Sequence, residues 1–368
     1  MSAGTAESRF IYVGTFTGET DLGGGAEGIY VCRMDMTSGA VELVHAVPDV
    51  PNPSYLALHP ELPVLYAVNA VSEIDGHAGG AVSTFAVDHA TGGLEFINRQ
   101  SSQGAGPCHV SVEQTGKYVI TANYTGGSVA ILPITEDGRL GPATDWVQHV
   151  GSSVNPDRQG EPHGHSFTPD PANRFALACD LGLDQVLVYG LDLENGMLPP
   201  ADPPFATVHA GAGPRHLDFH PNGRTVYVIN EIGNTITVFA YDQEVGAMNE
   251  LQTIPTLPPD FEPTSHTADV HVHPNGKFVY GSNRGHDSIV IYGVNDADGT
   301  LTFFGHQSTL GEVPRNFVID PTGTFLLAAN QDTDSIVTFR IDAESGELNP
   351  TGHVASVPTP VCLKFAMS

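Results

Sequence analysis

The stretch 214–242, PRHLDFHPNGRTVYVINEIGNTITVFAYD, shows the pattern on which the rest of the chain is built. It begins with a short run of alternating apolar residues at 217–220, which ends in a Pro-Asn-Gly turn. A run rich in β-branched and aromatic residues follows at 225–230, and a Gly-Asn turn separates it from a similar run at 235–241. Period-two alternation interrupted by turn residues predicts an antiparallel β-meander. Because a lone meander cannot bury both of its faces, it needs neighbouring sheets of the same kind.

Copies of this pattern recur along the whole chain. They open at Pro53, Pro107, Pro162, Pro214, Thr267 and Pro314. Each copy continues into a hairpin that contains Gly, for example at 344–346, and then into one more short apolar strand. A period of about 50 residues with four strands per unit is typical of the blades of a β-propeller and not of a helical solenoid.

The two ends of the chain together complete one further unit. Strand-like runs at 10–15, 28–33 and 41–46 have no opening strand before them, whereas 360–365 is an opening strand with no partner strands after it. Joining the two ends closes the ring and removes an open sheet edge. The sequence therefore predicts an all-β fold: a seven-bladed β-propeller of four-stranded antiparallel blades, whose N- and C-terminal strands share one blade.

The chain shows no sequence pattern of export or membrane insertion. We expect 1–368 to form one domain, with 1–8 as a flexible N-terminal tail that lacks the basic and apolar regions of a signal peptide. No window approaches the roughly 20 apolar residues of a membrane helix. The four cysteines form no CxxC pair, which indicates free thiols in a reducing compartment. These features predict a cytoplasmic protein.

The composition is strongly acidic. Asp and Glu number 42 against 14 Lys and Arg, and the formal net charge is −28. Such a charge repels nucleic acid and anionic membranes, so we expect neither as a partner. An anionic substrate would need a local cluster of basic residues, or salt that screens the remaining charge. Many acidic residues with almost no lysine lead us to expect a halophilic source with a salt-rich cytoplasm.

Positions at which the units differ are candidates for function, because the blade itself does not require those residues. Directly after the second strand, the units and the terminal blade have Ala70, Tyr124, Leu181, Glu231, Arg284, Gln331 and Phe16. Directly after the opening residue, the units have Ser54, Cys108, His163, Arg215, Ala268 and Arg315. The start of the first strand and the end of the second lie at the same end of an antiparallel pair. The charged members of both sets should therefore meet at one mouth of the central channel.

Arginines that converge on one mouth favour a site for an anion. Guanidinium groups match the geometry of carboxylate and phosphate oxygens. The alternative interpretation is a structural ion pair between blades, in which Glu231 pairs with Arg284 or Arg215.

The histidines fall into three groups. His59, His220 and His273 each precede a Pro at the first turn, and we expect them to stabilise that turn. His109 and His216 occupy equivalent positions and are predicted to line the channel. The third group, a His-x-His pair in the least regular copy, is treated separately below.

His163 and His165 alternate along a strand, so both rings would point to one face and could bind a metal ion. No clear third ligand accompanies them, and we therefore expect no metal and no cofactor. A histidine that binds substrate or transfers a proton at the mouth is the preferred interpretation. The residues alone leave open which of the two it is.

Several segments resemble the seven-bladed lactonase family. They are Tyr12-Val-Gly-Thr-Phe-Thr, Pro162-His-Gly-His-Ser, Gly213-Pro-Arg-His-Leu, Val228-Ile-Asn-Glu and Ser282-Asn-Arg-Gly. The family includes propeller-type 6-phosphogluconolactonases and fungal carboxy-cis,cis-muconate cyclase, and the resemblance covers essentially the whole chain. It implies lactone chemistry, and its motifs do not distinguish one substrate from another.

The resemblance also implies a catalytic set of one histidine, two arginines and one glutamate. By motif these are Arg215, Glu231, Arg284 and either His163 or His165, of which we favour His165. In the expected mechanism the arginines hold the substrate's anionic group and stabilise the oxyanion. Glu231 is the general base for the attacking water, or first orients it, and His165 protonates the departing ring oxygen. Nearby arginines would lower the pKa of Glu231 and weaken it as a base.

Other residues of the same mouth are expected to bind the substrate. They are His163, Arg315, His109, His216, Tyr124 and Gln331. We predict a lactonase acting on a small anionic sugar-acid lactone that resembles 6-phosphogluconolactone, in a monomer or weak homodimer. The alternatives are a cycloisomerase of the muconate type and a non-catalytic scaffold, which would bind a protein through exposed apolar residues such as Phe16 and Tyr124.

Overall fold

The computed structural model describes residues 8–18 and 24–367, which contain β-strands and no helix. The strands of the first quarter of the chain are β1 (Ser8–Thr15), β2 (Gly28–Asp35), β3 (Val41–Pro48), β4 (Leu56–Leu58), β5 (Val64–Asn69), β6 (Glu73–Ile74), β7 (His77–Ala78), β8 (Ala81–Val87) and β9 (Leu94–Ser101). The next are β10 (Pro107–Val112), β11 (Tyr118–Asn123), β12 (Ser128–Pro133), β13 (Asp145–Gln148), β14 (Gly164–Pro169), β15 (Phe175–Asp180), β16 (Gln185–Gly190) and β17 (Pro200–Thr207). The remaining strands are β18 (Pro214–Phe219), β19 (Thr225–Asn230), β20 (Thr235–Asp242), β21 (Ala247–Pro255), β22 (His266–Val272), β23 (Phe278–Arg284), β24 (Ser288–Val294), β25 (Leu301–Ser308), β26 (Pro314–Ile319), β27 (Phe325–Asn330), β28 (Ser335–Ile341), β29 (Leu348–Ser356) and β30 (Pro360–Phe365).

These strands form seven four-stranded antiparallel sheets and one short hairpin, β6–β7. From the axis outward, the sheets are blade 1 (β4, β5, β8, β9), blade 2 (β10 to β13), blade 3 (β14 to β17), blade 4 (β18 to β21), blade 5 (β22 to β25), blade 6 (β26 to β29) and blade 7 (β30, β1, β2, β3). The predicted seven-bladed propeller is confirmed. None of the described residues forms a helix long and apolar enough to cross a membrane.

Blade 7 is closed by both ends of the chain, as the sequence predicts. Strand β30 pairs antiparallel with β1, and Val13 lies opposite Leu363 in that ladder. The first seven residues of the expected tail lie outside the described residues, and Ser8 already belongs to β1.

Burial decreases from the axis to the rim. The second strands β5, β19 and β27 are buried along their whole length, whereas most residues of the outer strand β17 are exposed. Neighbouring blades pack face to face, and Leu177 of blade 3 lies in one apolar cluster with Val226 of blade 4. Tyrosines in the second strands add a polar link between blades, since the hydroxyl of Tyr227 donates to the carbonyl of Gly299 at 2.9 Å.

The histidines at the first turns also connect blades. In His273, Nδ1 accepts the backbone N–H of Asn275 at 3.1 Å, and Nε2 lies 2.9 Å from the carbonyl oxygen of Gly323 in the next blade. His59 and His220 make the equivalent two contacts, one to their own turn and one to a glycine carbonyl of the next blade. Their predicted turn role is therefore correct and includes a bond to the neighbouring blade.

A bulge at the start of each of several inner strands directs one residue towards the channel. In blade 4, Pro214 pairs with Asn230 and His216 with Ile229, so Arg215 is an extra residue without a partner in the ladder. The corresponding extra residues in blades 2, 3, 6 and 7 are Cys108, His165, Arg315 and Val361. These bulges place the side chains of different blades around one opening.

The register of blade 3 corrects one detail of the sequence comparison. The comparison aligned His163 with Arg215 because each follows a proline. In the structure the inner strand begins at Gly164, and His165 is the bulged residue. His163 precedes this strand and contacts the turn after β15, where the N–H of Leu181 donates to the carbonyl of His163 at 3.0 Å.

Candidate active site at one mouth of the channel

A cleft of about 230 Å³ opens at the end of the channel where the inner strands begin. Bulge residues and their equivalents line it: Ser54, Cys108, His165, Arg215, Arg315 and Val361. Residues that follow or end the second strands complete the wall: Phe16, Ala70, Tyr124, Glu231 and Arg284. The two sets meet at one mouth, as the strand spacing predicts.

Glu231 is the centre of the charged wall. Its Oε2 accepts from Arg215 Nε at 2.9 Å and lies 2.8 Å from Arg284 Nη2, and its Oε1 accepts from Arg158 Nη2 at 2.6 Å. The ion pairs of the alternative interpretation are therefore present. Because they form part of the cleft wall, they hold the guanidinium groups at the place where a ligand would bind.

The arginines are also fixed by the backbone. Arg215 Nη1 donates to the carbonyl of Ala268, and Arg284 Nη2 donates to the carbonyl of Thr267 at 2.7 Å. Burial alone would raise the pKa of Glu231, but Arg284 and Arg215 hold it well below its ordinary value. Glu231 is therefore ionised at neutral pH and is a weak proton acceptor.

Arg315 differs from the other arginines of the cleft. Within the described part of the chain no carboxylate lies within ion-pair distance of it, and its guanidinium lies 5.4 Å from the centre of the Phe16 ring. Burial and the charges of Arg284 and Arg215 lower the pKa of Arg315 to about 9. A cation without an acidic partner, beside two further cations, favours binding of an anion from solution.

His165 approaches the same oxygen of Glu231 as Arg284 does. It is buried, and its Nε2 is 3.9 Å from Glu231 Oε2. Burial and the charge of Arg215 hold the pKa of His165 well below its ordinary value, so the ring is neutral at neutral pH and can accept a proton. Next to it, burial raises the pKa of the Cys108 thiol to about 12, which makes a thiolate nucleophile there unfavourable.

Arg158 lines the cleft, and the sequence comparison missed it. It lies in the polar segment that leads into blade 3, and its Nη2 also contacts the hydroxyl of Tyr124 at 3.3 Å. The segment is held by Gln159, whose buried side chain donates to Asp184 Oδ1 at 2.7 Å and to the carbonyl of Leu181 at 2.9 Å. The available signal was one of the chain's few arginines in an unusually long connection of its least regular unit.

Aromatic rings form the floor of the cleft. Tyr55 packs on His109 with ring centroids 4.4 Å apart, and His216 lies 5.3 Å from His165. His216 faces both the cleft and the opposite half of the channel, whereas His109 lines only the opposite half. Tyr55 was not identified from the sequence.

Three of the expected binding residues lie outside the wall of the cleft: His109, which lines the opposite half of the channel, His163 and Gln331. The ring of His163 stacks on Tyr124 at 4.5 Å, and its Nδ1 lies 3.0 Å from the carbonyl oxygen of Tyr124. The side chain of Gln331 donates to Asp332 Oδ1 at 2.9 Å. Contact of these residues with a substrate stays a prediction. Of the two histidines in the His-x-His pair, His165 is the one that the structure places in the cleft.

Among the described residues, no group of three or more His, Cys, Asp or Glu side chains is arranged to hold a metal ion. The described cysteines are all free. Within the described residues, His163 and His165 therefore have no third ligand of the kinds that usually bind a metal ion.

The fold and the cleft define a seven-bladed propeller with an arginine-rich cleft at one mouth. The chain belongs to the lactonase family of seven-bladed beta-propellers, whose family model matches residues 10–365. It is 38% identical over 354 residues to a 6-phosphogluconolactonase of Bacillus subtilis, a match that covers 96% of this chain and 97% of the relative. A 6-phosphogluconolactonase of Formosa agariphila is 35% identical over 84% of this chain and 86% of its own. The solved structure of a periplasmic gluconolactonase of Pseudomonas aeruginosa matches with a TM-score of 0.91 and 34% identity, over 98% of this chain and 99% of that chain.

Proposed function

We propose that the protein is a lactonase that hydrolyses the lactone of a sugar acid, and that a phosphorylated lactone of the 6-phosphogluconolactone type is its preferred substrate. The names of its relatives support the reaction. The observation that carries the choice of an anionic substrate is Arg315, a cleft arginine without an acidic partner beside Arg284.

The charge balance of the cleft supports an anionic ligand. Four arginines and a single glutamate line the cleft, in a chain whose formal net charge is −28. The local sign is therefore opposite to that of the whole protein. Arg284 and Arg315 lie where they can hold a phosphate or carboxylate, and Arg158 at the rim can contact the distal end of a longer substrate.

We exchange the two expected proton-transfer roles, because three ion pairs with arginines engage both oxygens of Glu231, whereas the ring of His165 is neutral. Neutral His165 takes a proton from the attacking water, and ionised Glu231 holds the guanidinium groups and the protonated imidazole that follows. Water adds to the lactone carbonyl, and the arginines stabilise the oxyanion. The C–O bond of the ring then breaks, and the imidazolium returns its proton to the ring oxygen. The open-chain carboxylic acid loses its own proton to solvent and leaves as a carboxylate.

The two alternatives are less well supported. Cyclisation of a muconate needs a group that donates a proton to carbon, and at neutral pH Glu231 is ionised while His165 is neutral. A protein-binding scaffold would need exposed apolar residues at the mouth. Phe16 is only 5% exposed, and Tyr124 contributes to the wall of a small cleft.

The experiment is a direct assay on 6-phosphogluconolactone, gluconolactone and carboxymuconolactone, with the spontaneous rate subtracted. We expect enzyme-dependent opening of the first two and a preference for the phosphorylated one. Replacement Arg315→Gln should raise KM for the phosphorylated lactone by about tenfold or more, since a charge-assisted contact contributes about 1.5–3 kcal/mol. Arg33→Gln, which changes an exposed arginine paired with Glu42, is the matched control. No rate above background on any lactone would refute the proposed function.

We also propose a cytoplasmic location and a monomer or weak homodimer. The free state of all four cysteines supports the first, and light scattering of the purified protein tests the second. A stable higher oligomer in solution would contradict it.

A further inference from the structure

The floor of the cleft continues into a buried polar chain along the central channel. Arg215 Nη1 lies 3.3 Å from His216 Nε2, and His216 Nδ1 lies 2.8 Å from Asp269 Oδ1. On the far side, Asp269 Oδ2 lies 3.2 Å from His271 Nε2. The side chains of His216 and Asp269 are 7% and 2% exposed, so water does not replace these partners.

The chemistry of its neighbours determines the tautomer of His216. An ionised carboxylate only accepts hydrogen bonds, so Nδ1 must carry the proton that points to Asp269. A guanidinium group only donates, so Nε2 must be the free acceptor that faces Arg215. The opposite tautomer would place two donors against each other at 3.3 Å and leave the carboxylate without a donor from the ring.

Asp269 is itself held from several directions. Its Oδ2 accepts from the amide of Asn316, and its backbone N–H donates to Ser282 Oγ at 3.0 Å. His271 lies between two carboxylates, since its Nδ1 is also 3.7 Å from Asp218 Oδ2. Burial alone would lower the pKa of His271, but Asp269 and Asp218 raise it to about 10, so a cation faces the buried carboxylate.

Arg215 needs such support because its surroundings are positive. Arg284 and Arg315 repel it, since the charge of Arg215 lowers the pKa of both of these groups. Its favourable contacts are Glu231 through Nε, and Ala268 and His216 through Nη1. Without the imidazole acceptor, one end of the guanidinium keeps only a single backbone contact.

We propose that His216 and Asp269 form a positioning dyad for Arg215. The dyad keeps the Nε2 atom of His216 as an acceptor, and so holds the guanidinium in the plane in which it meets both Glu231 and the substrate. Its effect on turnover rests on the proposed lactonase function. Its effect on the position of Arg215 does not, because that is a property of the free protein.

A pair of substitutions separates this role from packing. His216→Phe keeps a flat ring against Tyr55 and His165 but removes the acceptor, whereas His216→Gln loses the ring but retains an amide oxygen that can accept from Arg215. The proposal requires the Phe variant to lose about 10–100-fold in kcat/KM and the Gln variant to lose less. Equal losses, or a better Phe variant, would show that the ring acts only through packing.

Two readouts test the dyad without catalysis. Histidine-selective ¹⁵N spectra should show His216 as the Nδ1–H tautomer, assigned by its absence in His216→Gln. The affinity for inorganic phosphate should fall more in the Phe variant than in the Gln variant. An Nε2–H tautomer of His216 in the native protein overturns the proposal, whatever the kinetics of the two variants. If the native protein opens no lactone, the proposed function fails, and these two measurements still decide the dyad.

Discussion

Three guanidinium groups depend on the single carboxylate of Glu231. Its equivalents in other blades include Ala70, Leu181 and Gln331, so the blade does not require an acid there. The structure gives the reason for the difference, because Glu231 neutralises part of a cluster of like charges that would otherwise repel one another in a buried wall. The residue therefore has an electrostatic role whether or not it also transfers protons.

Replacement Glu231→Gln should affect both activity and stability. We expect kcat to fall by about 10² or more because the arginines lose their alignment. We expect the free energy of unfolding to fall by roughly 3–5 kcal/mol because buried cations lose their partner. Kinetics and thermal unfolding measure the two effects. Inorganic phosphate should raise the Tm of the variant more than that of the native protein, since a bound anion replaces the lost charge.

The control for this experiment is Glu42→Gln, which removes an exposed partner of Arg33. It should change neither kcat nor Tm appreciably, because exposed pairs contribute about 0–1 kcal/mol. A Glu231→Gln protein with nearly full turnover would exclude a role for this carboxylate in the reaction.

The pH dependence of the reaction tests the role of His165. A general base works in its neutral form, so activity is present above its pKa and is lost as the pH falls through it. The pKa of His165 lies well below 6.5. We expect kcat/KM to stay level from neutral pH down past 6.5 and to fall only in more acidic solution. Initial rates corrected for spontaneous opening in each buffer give the profile. An acidic limb centred at or above 6.5 would contradict this assignment.

At the scale of the elements, each repeat contributes contacts between neighbouring blades as well as the four strands of its own blade. The same turn histidine, inner bulge and second-strand position recur, but the residues at the bulge differ between blades. A fixed backbone thus presents variable side chains at one mouth. The turn histidines that link blades lie at the other end of the inner strands, so stability and activity can be altered separately.

Replacement His273→Ala tests this separation. It removes the contact to Gly323 and leaves the backbone N–H of Asn275 without its acceptor. We expect the free energy of unfolding to fall by about 1–3 kcal/mol, and kcat and KM to stay unchanged. Chemical denaturation and steady-state kinetics measure the two. His89→Ala, on an exposed turn, is the control. A loss of activity without a loss of stability would place His273 in the function of the cleft.

At the scale of the whole molecule, the formal charge of −28 has two effects. Repulsion between like charges destabilises the compact folded state, and the same net charge favours solubility. The cleft is a local exception, because its cations outnumber its single acid. Salt should therefore raise the stability of the folded protein and weaken the binding of an anionic substrate in the cleft. It screens repulsion between surface carboxylates, and it also screens attraction between the cleft and an anionic substrate. A halophilic source stays a prediction.

We expect Tm to rise with KCl between about 0.1 M and 1 M, over which the screening length falls from about 10 Å to about 3 Å. Over the same range KM for a phosphorylated lactone should rise. Differential scanning calorimetry and initial rates measure these effects, and sucrose in place of KCl separates charge screening from general stabilisation. A Tm that is constant or falls with KCl would contradict the expected role of surface repulsion.

Much of the fold and part of the site follow from the sequence alone. Seven blades, their closure by both termini and the mouth at which Arg215, Glu231 and Arg284 meet were predictable, because antiparallel strands of fixed spacing put equivalent positions at the same end. Each blade needs only local signals: alternation, turn residues and the period of the repeat.

Only the tertiary structure decided which other side chains reach the cleft. It selected His165 over His163 through the register of one bulge, brought Arg158 to Glu231 from an irregular segment, and joined His216 to Asp269 from the next blade. These contacts join residues that are distant in the chain, and they depend on how neighbouring blades pack. A repeat pattern records the geometry within a blade, whereas the chemistry of this protein lies between blades.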